Sequence, residues 1–97
     1  MGTNILYIED NSDNMILVKR VVEAQGYTLF EARNGLEGVA VAEQEEIHLI
    51  LLDINLPDID GYEVARRLRK SPKHALAYIP IIAITANALK GDAEKAL

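Results

Sequence analysis

Leu49-Ile50-Leu51-Leu52-Asp53-Ile54 is an aliphatic run interrupted by one carboxylate. A continuous apolar stretch of this length fits a strand covered on both faces, as strands of parallel sheets are. An ionised carboxylate is costly to bury without a partner, so Asp53 belongs at the rim of the core, where the strand ends. The same arrangement occurs earlier, where Glu9-Asp10 directly follow Ile5-Leu6-Tyr7-Ile8. Two strand-like runs that each end in acid point to one acidic pocket, assembled from distant parts of the chain.

Outward from residues 48 to 53, four apolar runs alternate with four segments of helical period. Ile5 to Ile8 reads as the first strand, and Ser12 or Asn11 caps a helix through about Gln25, with Leu17, Val18, Val21 and Val22 as its buried stripe. Gly26 supplies a left-handed stop. Tyr27 to Ala32 suits a second strand nearer an edge. Asn34-Gly35-Leu36-Glu37 resembles a capping box, opening a helix with Leu36, Val39 and Ala40 toward the core. Asp60-Gly61-Tyr62-Glu63 starts a third helix, with Val64, Ala65 and Leu68 inward and both Asp58 and Asp60 as caps. Pro80 introduces a fourth strand, Ile81 to Ile84, and Asn87 to Leu97 reads as a helix carrying Gly91 at a cost of about 1 kcal/mol. The order β-α-β-α-β-α-β-α predicts one α/β domain over residues 1–97 with a parallel sheet, right-handed crossovers and helices on both faces.

Composition narrows the function. The 97 residues contain no cysteine and carry a net charge of −5, so disulfides and thiolate chemistry are excluded and sequence-independent nucleic-acid binding is disfavoured. Arg66, Arg67, Arg69 and Lys70 cluster near a helix end, where positive charge complements the dipole. No apolar run approaches ~18 residues and no signal segment leads the chain, so a cytoplasmic protein without a membrane span is expected.

In open parallel sheets, ligands bind beyond the carboxyl ends of the strands, at a topological switch point. With the strand order 2-1-3-4, Asp10, Asp53 and Thr85 follow adjacent strands and share one rim. Hard oxygen donors without His or Cys point to Mg²⁺ rather than zinc. Asp10 and Asp53 are the expected ligands, with Glu9 acting through water and the backbone carbonyl of Asn55 completing the protein share. Thr85 adds a hydroxyl, and metal, carboxylate and hydroxyl together suit a phosphoryl group. An aspartate can itself be the nucleophile, and Asp53, on the central strand, is the better candidate.

Glu9-Asp10, Asp53, the loop Asn55-Leu56-Pro57-Asp58-Ile59-Asp60-Gly61 and Thr85-Ala86 together resemble the receiver domain of two-component response regulators, over the whole chain. The resemblance implies a flavodoxin-like fold and Mg²⁺-dependent transfer of a phosphoryl group to Asp53 from a histidine kinase or histidine phosphotransfer protein. It implies metal ligation by Glu9, Asp10, Asp53 and the Asn55 carbonyl, and movement of Thr85 onto the phosphoryl group, shifting a population between two states. It implies an acceptor rather than an enzyme, and no direct contact with nucleic acid or membrane.

One departure stands out. Receiver domains have a fifth strand ending in a lysine, whereas the chain is expected to stop within its fourth helix, and Lys90 and Lys95 lie on the wrong element for that role. Self-association through the apolar fourth strand or the fourth helix is therefore expected, as is weak or short-lived phosphorylation. The competing reading is a phosphorylation-incompetent receiver-like module working through protein contacts alone. A glycine-rich phosphate loop, a calcium loop and a hydrolase acid/base partner are each missing from the motif positions. His48 and His74 read as surface residues.

Overall fold

The computed structural model describes residues 2–84. Thr85, Ala86 and the helix expected over 87–97, with Lys90, Gly91 and Lys95, lie outside the described residues. The elements run β1 (Asn4–Ile8), α1 (Ser12–Ala24), β2 (Thr28–Ala32), α2 (Gly35–Gln44), β3 (Leu49–Asp53), α3 (Gly61–Arg69), a single 3-10 turn (His74–Ala77) and β4 (Ile81–Ile84). The strands form one parallel sheet in the order β2-β1-β3-β4, as the sequence predicts for a flavodoxin-like fold.

Strand alternation divides the core between the two faces. On one face Leu6, Ile8, Ala32, Ile50 and Leu52 pack with Ala42 of α2, with Val64 and Leu68 of α3, and with Leu76 and Ile79 of the following segment. On the other, Ile5 and Tyr7 are buried, as are Met15 and Val22 of α1. β1 is buried nearly throughout, in keeping with a strand covered on both sides.

Two helices turn differently from their expected stripes. In α1 the inward line is Met15, Val18 and Val22, while Leu17 and Val21 are 53% and 57% exposed. The helix is apolar over more than one arc, so period alone does not select the arc that meets the sheet. In α2 the buried positions are Gly35, Gly38 and Ala42, and Leu36 and Ala40 are exposed. Close approach decides here, because a Cβ at Gly38 would run into the side chain of Ile8. Tyr62, at the start of α3, is 71% exposed.

The helix ends follow the expected chemistry. Asn11, Asn34 and Asp60 accept at 2.9, 2.8 and 2.9 Å from the N–H groups of Asn14, Glu37 and Glu63. Glu37 completes the α2 box by accepting from the Arg33 N–H at 2.7 Å. Gly26 ends α1 at φ 86°, in the left-handed region. Lys73 reaches across to the α2 C-terminus, donating to the carbonyls of Ala42 and Glu45 at 2.9 and 2.6 Å. Arg69 donates not to its own helix end but to the carbonyls of Leu76 and Ile79, at 3.0 and 2.6 Å, which clamps the 3-10 turn to α3.

Gly61 joins the fold to the rim. Its N–H donates to the Ile54 carbonyl at 2.9 Å, so α3 begins directly against the end of β3. A Cβ there would lie 2.8 Å from Ile54 Cα and 3.0 Å from the Asp53 carbonyl oxygen, both backbone atoms. Gly61→Ala is therefore expected to destabilise the domain by ~1–3 kcal/mol, read as a lower urea midpoint at unchanged slope.

Candidate functional site

Sheet register assembles the rim. β1 and β3 run in parallel with Ile8 opposite Leu52, so the next step along both strands sets Glu9 abreast of Asp53. Asp53 in turn pairs with Ile84 of β4. Glu9 and Asp53 are both buried, at 3% and 5% exposure, whereas Asp10 faces solvent. One carboxylate oxygen from each of the three lies within 4.8 Å of the others.

Each buried acid has donors. Tyr7 donates its hydroxyl to Glu9 Oε1 at 2.9 Å, the Asn11 N–H donates to Oε2 at 3.2 Å, and the Asn14 amide reaches Oε1 at 3.5 Å. Asp53 Oδ1 accepts from the Asn55 N–H at 3.2 Å. Among the described residues, every buried side-chain nitrogen or oxygen has a hydrogen-bond partner. The Asp53 carboxyl is pushed up to about 6, by burial first and also by Glu9 and Asp10 beside it, against the opposing pull of the Asn55 N–H. Burial, with Glu9 beside it, also pushes the Tyr7 hydroxyl upward, so it remains a proton donor at neutral pH.

The loop from Ile54 to Asp60 is tied at both ends. Asp58 was expected at the cap of α3 but spans to α2 instead, accepting from the N–H groups of Gly35 and Leu36 at 2.8 Å each. Asp60 alone caps α3. Desolvation would raise the Asp58 carboxyl, but the N–H groups of Leu36 and Gly35 outweigh it and hold it below the usual range. One loop carboxylate thus occupies the positive end of a second helix.

Of the residues singled out in the sequence, the structure brings Glu9, Asp10 and Asp53 together and sets Asn55 beside Asp53. Thr85 lies outside the described residues. Tyr7 escaped the sequence reading, which took its strand as purely apolar. The available signal was its spacing, two residues before Glu9 on a strand, which turns both side chains to one face. The donor set fits a hard divalent cation: three carboxylates, two of them desolvated, with no nitrogen or sulfur ligand in the cluster.

Residues 5–97 match the family described as the response regulator receiver domain. The chain is 42% identical over 95 residues to the polar-differentiation response regulator DivK of Brucella anthropi, covering 98% of this chain and 76% of that protein. It superposes with a TM-score of 0.82, at 36% identity, on the receiver domain of the sensor histidine kinase PA1611 from Pseudomonas aeruginosa PAO1, covering 100% and 80% of the two chains. That structure has a magnesium ion coordinated in its active-site cleft. The Mn²⁺-bound form of the response regulator Rcp1 is similar at a TM-score of 0.75 and 33% identity, over 86% of this chain and 65% of that one. One expectation is corrected by the family match: the exclusion of enzymatic activity does not stand. The match supports membership of the family, and membership neither assigns nor excludes catalysis. No helix among the described residues is long and apolar enough to cross a membrane.

The raised Asp53 carboxyl has a signed consequence. Its ordinary value is 3.8 and its value in the fold is about 6, so between those limits the folded state holds the proton more tightly than the unfolded chain does. The stability this group contributes is full below pH 3.8 and is lost as pH rises through 6. In metal-free buffer, Asp53→Asn is expected to remove that loss. With solvent screening at the open rim allowed for, the gain at pH 7 is about 1 kcal/mol, or roughly 4–8 °C in Tm by thermal unfolding. At pH 3.5 the variant and the parent should melt together. Asp58→Ala, which strips two N–H groups of their acceptor, is expected to lower stability by about 1 kcal/mol in a urea titration.

Proposed function

Because this chain belongs to the response regulator receiver domain family, we propose that it accepts a phosphoryl group on Asp53 from a phosphohistidine donor and that the transfer switches its protein contacts. The observation that carries this reading is the convergence of Glu9, Asp10 and Asp53 within 4.8 Å at the carboxyl end of the sheet. Carboxylates brought this close repel one another and a phosphoryl group alike, so the cluster makes chemical sense with a cation. We assign Mg²⁺ to it, held by Glu9, Asp10, Asp53 and the backbone carbonyl of Asn55. When bound, the ion neutralises charge on the phosphoryl oxygens and lets an anionic nucleophile approach.

The chain's own groups do the rest. An Asp53 carboxylate oxygen forms the new O–P bond as the N–P bond of the donor breaks, and the departing imidazole takes up a proton from water. The Asn55 N–H, on Asp53 Oδ1, steadies the carboxylate. Glu9 and Asp10 bind the cation and hold the acceptor in register with it. Thr85 is assigned the contact to the transferred phosphoryl group and the switch that follows, on the strength of the family.

The same proposal covers one receiver unit over residues 1–97 and a cytoplasmic place of action. Its donor is a sensor histidine kinase or a histidine phosphotransfer protein. Among the described residues β4 is an outer strand, and its Ile82 is 44% exposed. A homodimer through β4 is part of the same proposal.

Incubation with acetyl phosphate and Mg²⁺, followed by intact-mass spectrometry, tests the reading. One phosphoryl adduct is expected on the parent chain, lost in Asp53→Asn and lost on chelation of the metal. A parent chain without the adduct, or an adduct that survives Asp53→Asn, overturns it.

A further inference from the structure

Tyr7 is the one polar side chain among the buried positions of β1, between Leu6 and Ile8, and it is fully buried. An aliphatic residue would fill a core position without bringing a hydroxyl that has to be satisfied. That hydroxyl is spent on a single group, Oε1 of Glu9, at 2.9 Å. Glu9 is the longest acid of the cluster, and a free glutamate side chain has up to ~2 kcal/mol of rotamer entropy to lose when it is fixed. Here it is fixed by the Tyr7 hydroxyl on Oε1, joined at 3.5 Å by the Asn14 amide, and by the Asn11 N–H on Oε2. The ring is rigid, turns on only two torsions and is locked by the core around it.

We propose that Tyr7 is a positioning residue for the divalent-cation site, holding the Glu9 carboxylate toward the oxygens of Asp10 and Asp53 and so setting the affinity of the site. The proposal rests on the metal-binding reading above. Hydrogen-bond partners behind metal-binding side chains typically govern 10–100-fold in affinity. Tyr7→Phe removes the donor and keeps the ring, so it separates holding from packing.

Calorimetric titration of the metal-free chain with Mg²⁺ tests this. Tyr7→Phe is expected to weaken Mg²⁺ binding by ~10-fold while the metal-free Tm moves by no more than a few degrees. In a Glu9→Gln background, the same substitution is expected to change Kd by less than ~2-fold, because the two residues act as one unit. A Tyr7→Phe chain that binds Mg²⁺ as the parent does, or an equal loss in both backgrounds, overturns the proposal alone. A parent chain that takes up no Mg²⁺ overturns the metal-site reading and the proposal with it. A second measurement needs no variant. With carbon-13 at the tyrosine Cζ, saturating Mg²⁺ is expected to shift the Tyr7 resonance and leave Tyr27 and Tyr78 unmoved, and an unmoved Tyr7 resonance overturns the proposal.

Discussion

Two carboxylates are desolvated side by side at the end of a parallel sheet, and the rest of the rim is arranged around that fact. Glu9 and Asp53 sit one register step beyond the buried Ile8–Leu52 pair, where the core would otherwise continue as aliphatic packing. Burial of a charge in such a place is unfavourable unless donors or a counter-charge offset it. The chain supplies donors from three directions: the Tyr7 hydroxyl, the Asn11 N–H and the Asn55 N–H. They satisfy the oxygens as hydrogen-bond acceptors but bring no positive charge. The raised Asp53 carboxyl records that remainder.

The loop that follows Asp53 is correspondingly constrained. Gly61 closes it against the Ile54 carbonyl, so α3 starts where β3 stops, and Asp58 pins its middle to the first turn of α2. Two helices on the same face of the sheet thereby frame one short loop, and those helices pack on the larger of the two core layers. A carboxylate on β3 is thus held by a scaffold whose own positions depend on Ile8, Val64 and Leu68. Function at the rim and packing beneath it share residues.

Much of this was legible in the sequence because burial and chemistry leave different marks. Apolar runs ending in acid gave away β1, β3 and the pocket between them, and Asn34 and Asp60 marked their helices by side chains suited to capping. The inward faces of α1 and α2 were less legible for two separate reasons. Apolar residues occupy several arcs of α1, and the sheet selects the one through Met15 and Val22. On α2 the contact is made by absence of side chain, at Gly35 and Gly38, where hydropathy has nothing to read. Asp58 was misassigned because its partners, the N–H groups of Gly35 and Leu36, are more than twenty residues away, and local capping rules see only neighbours. Tyr7 was hidden differently: as a core aromatic it reads as apolar, and only the period of two that links it to Glu9 separates ring from hydroxyl.

At the proposed metal site, protons and a divalent cation compete for the same relief. Below about pH 6 a proton on Asp53 lowers the charge of the cluster; above it the cluster is left to its donors or to a metal. A cation that binds only the folded chain adds stability in proportion to the logarithm of its occupancy. Folding stability and cation affinity are therefore two readings of one free energy, stored in the placement of Glu9, Asp10 and Asp53. Any side chain that fixes those oxygens in the metal-free fold meets part of the organisation cost of binding in advance, at the expense of the fold itself. The Tyr7–Glu9 bond lies at that intersection: it is made inside the core, on a residue whose carboxylate faces the rim.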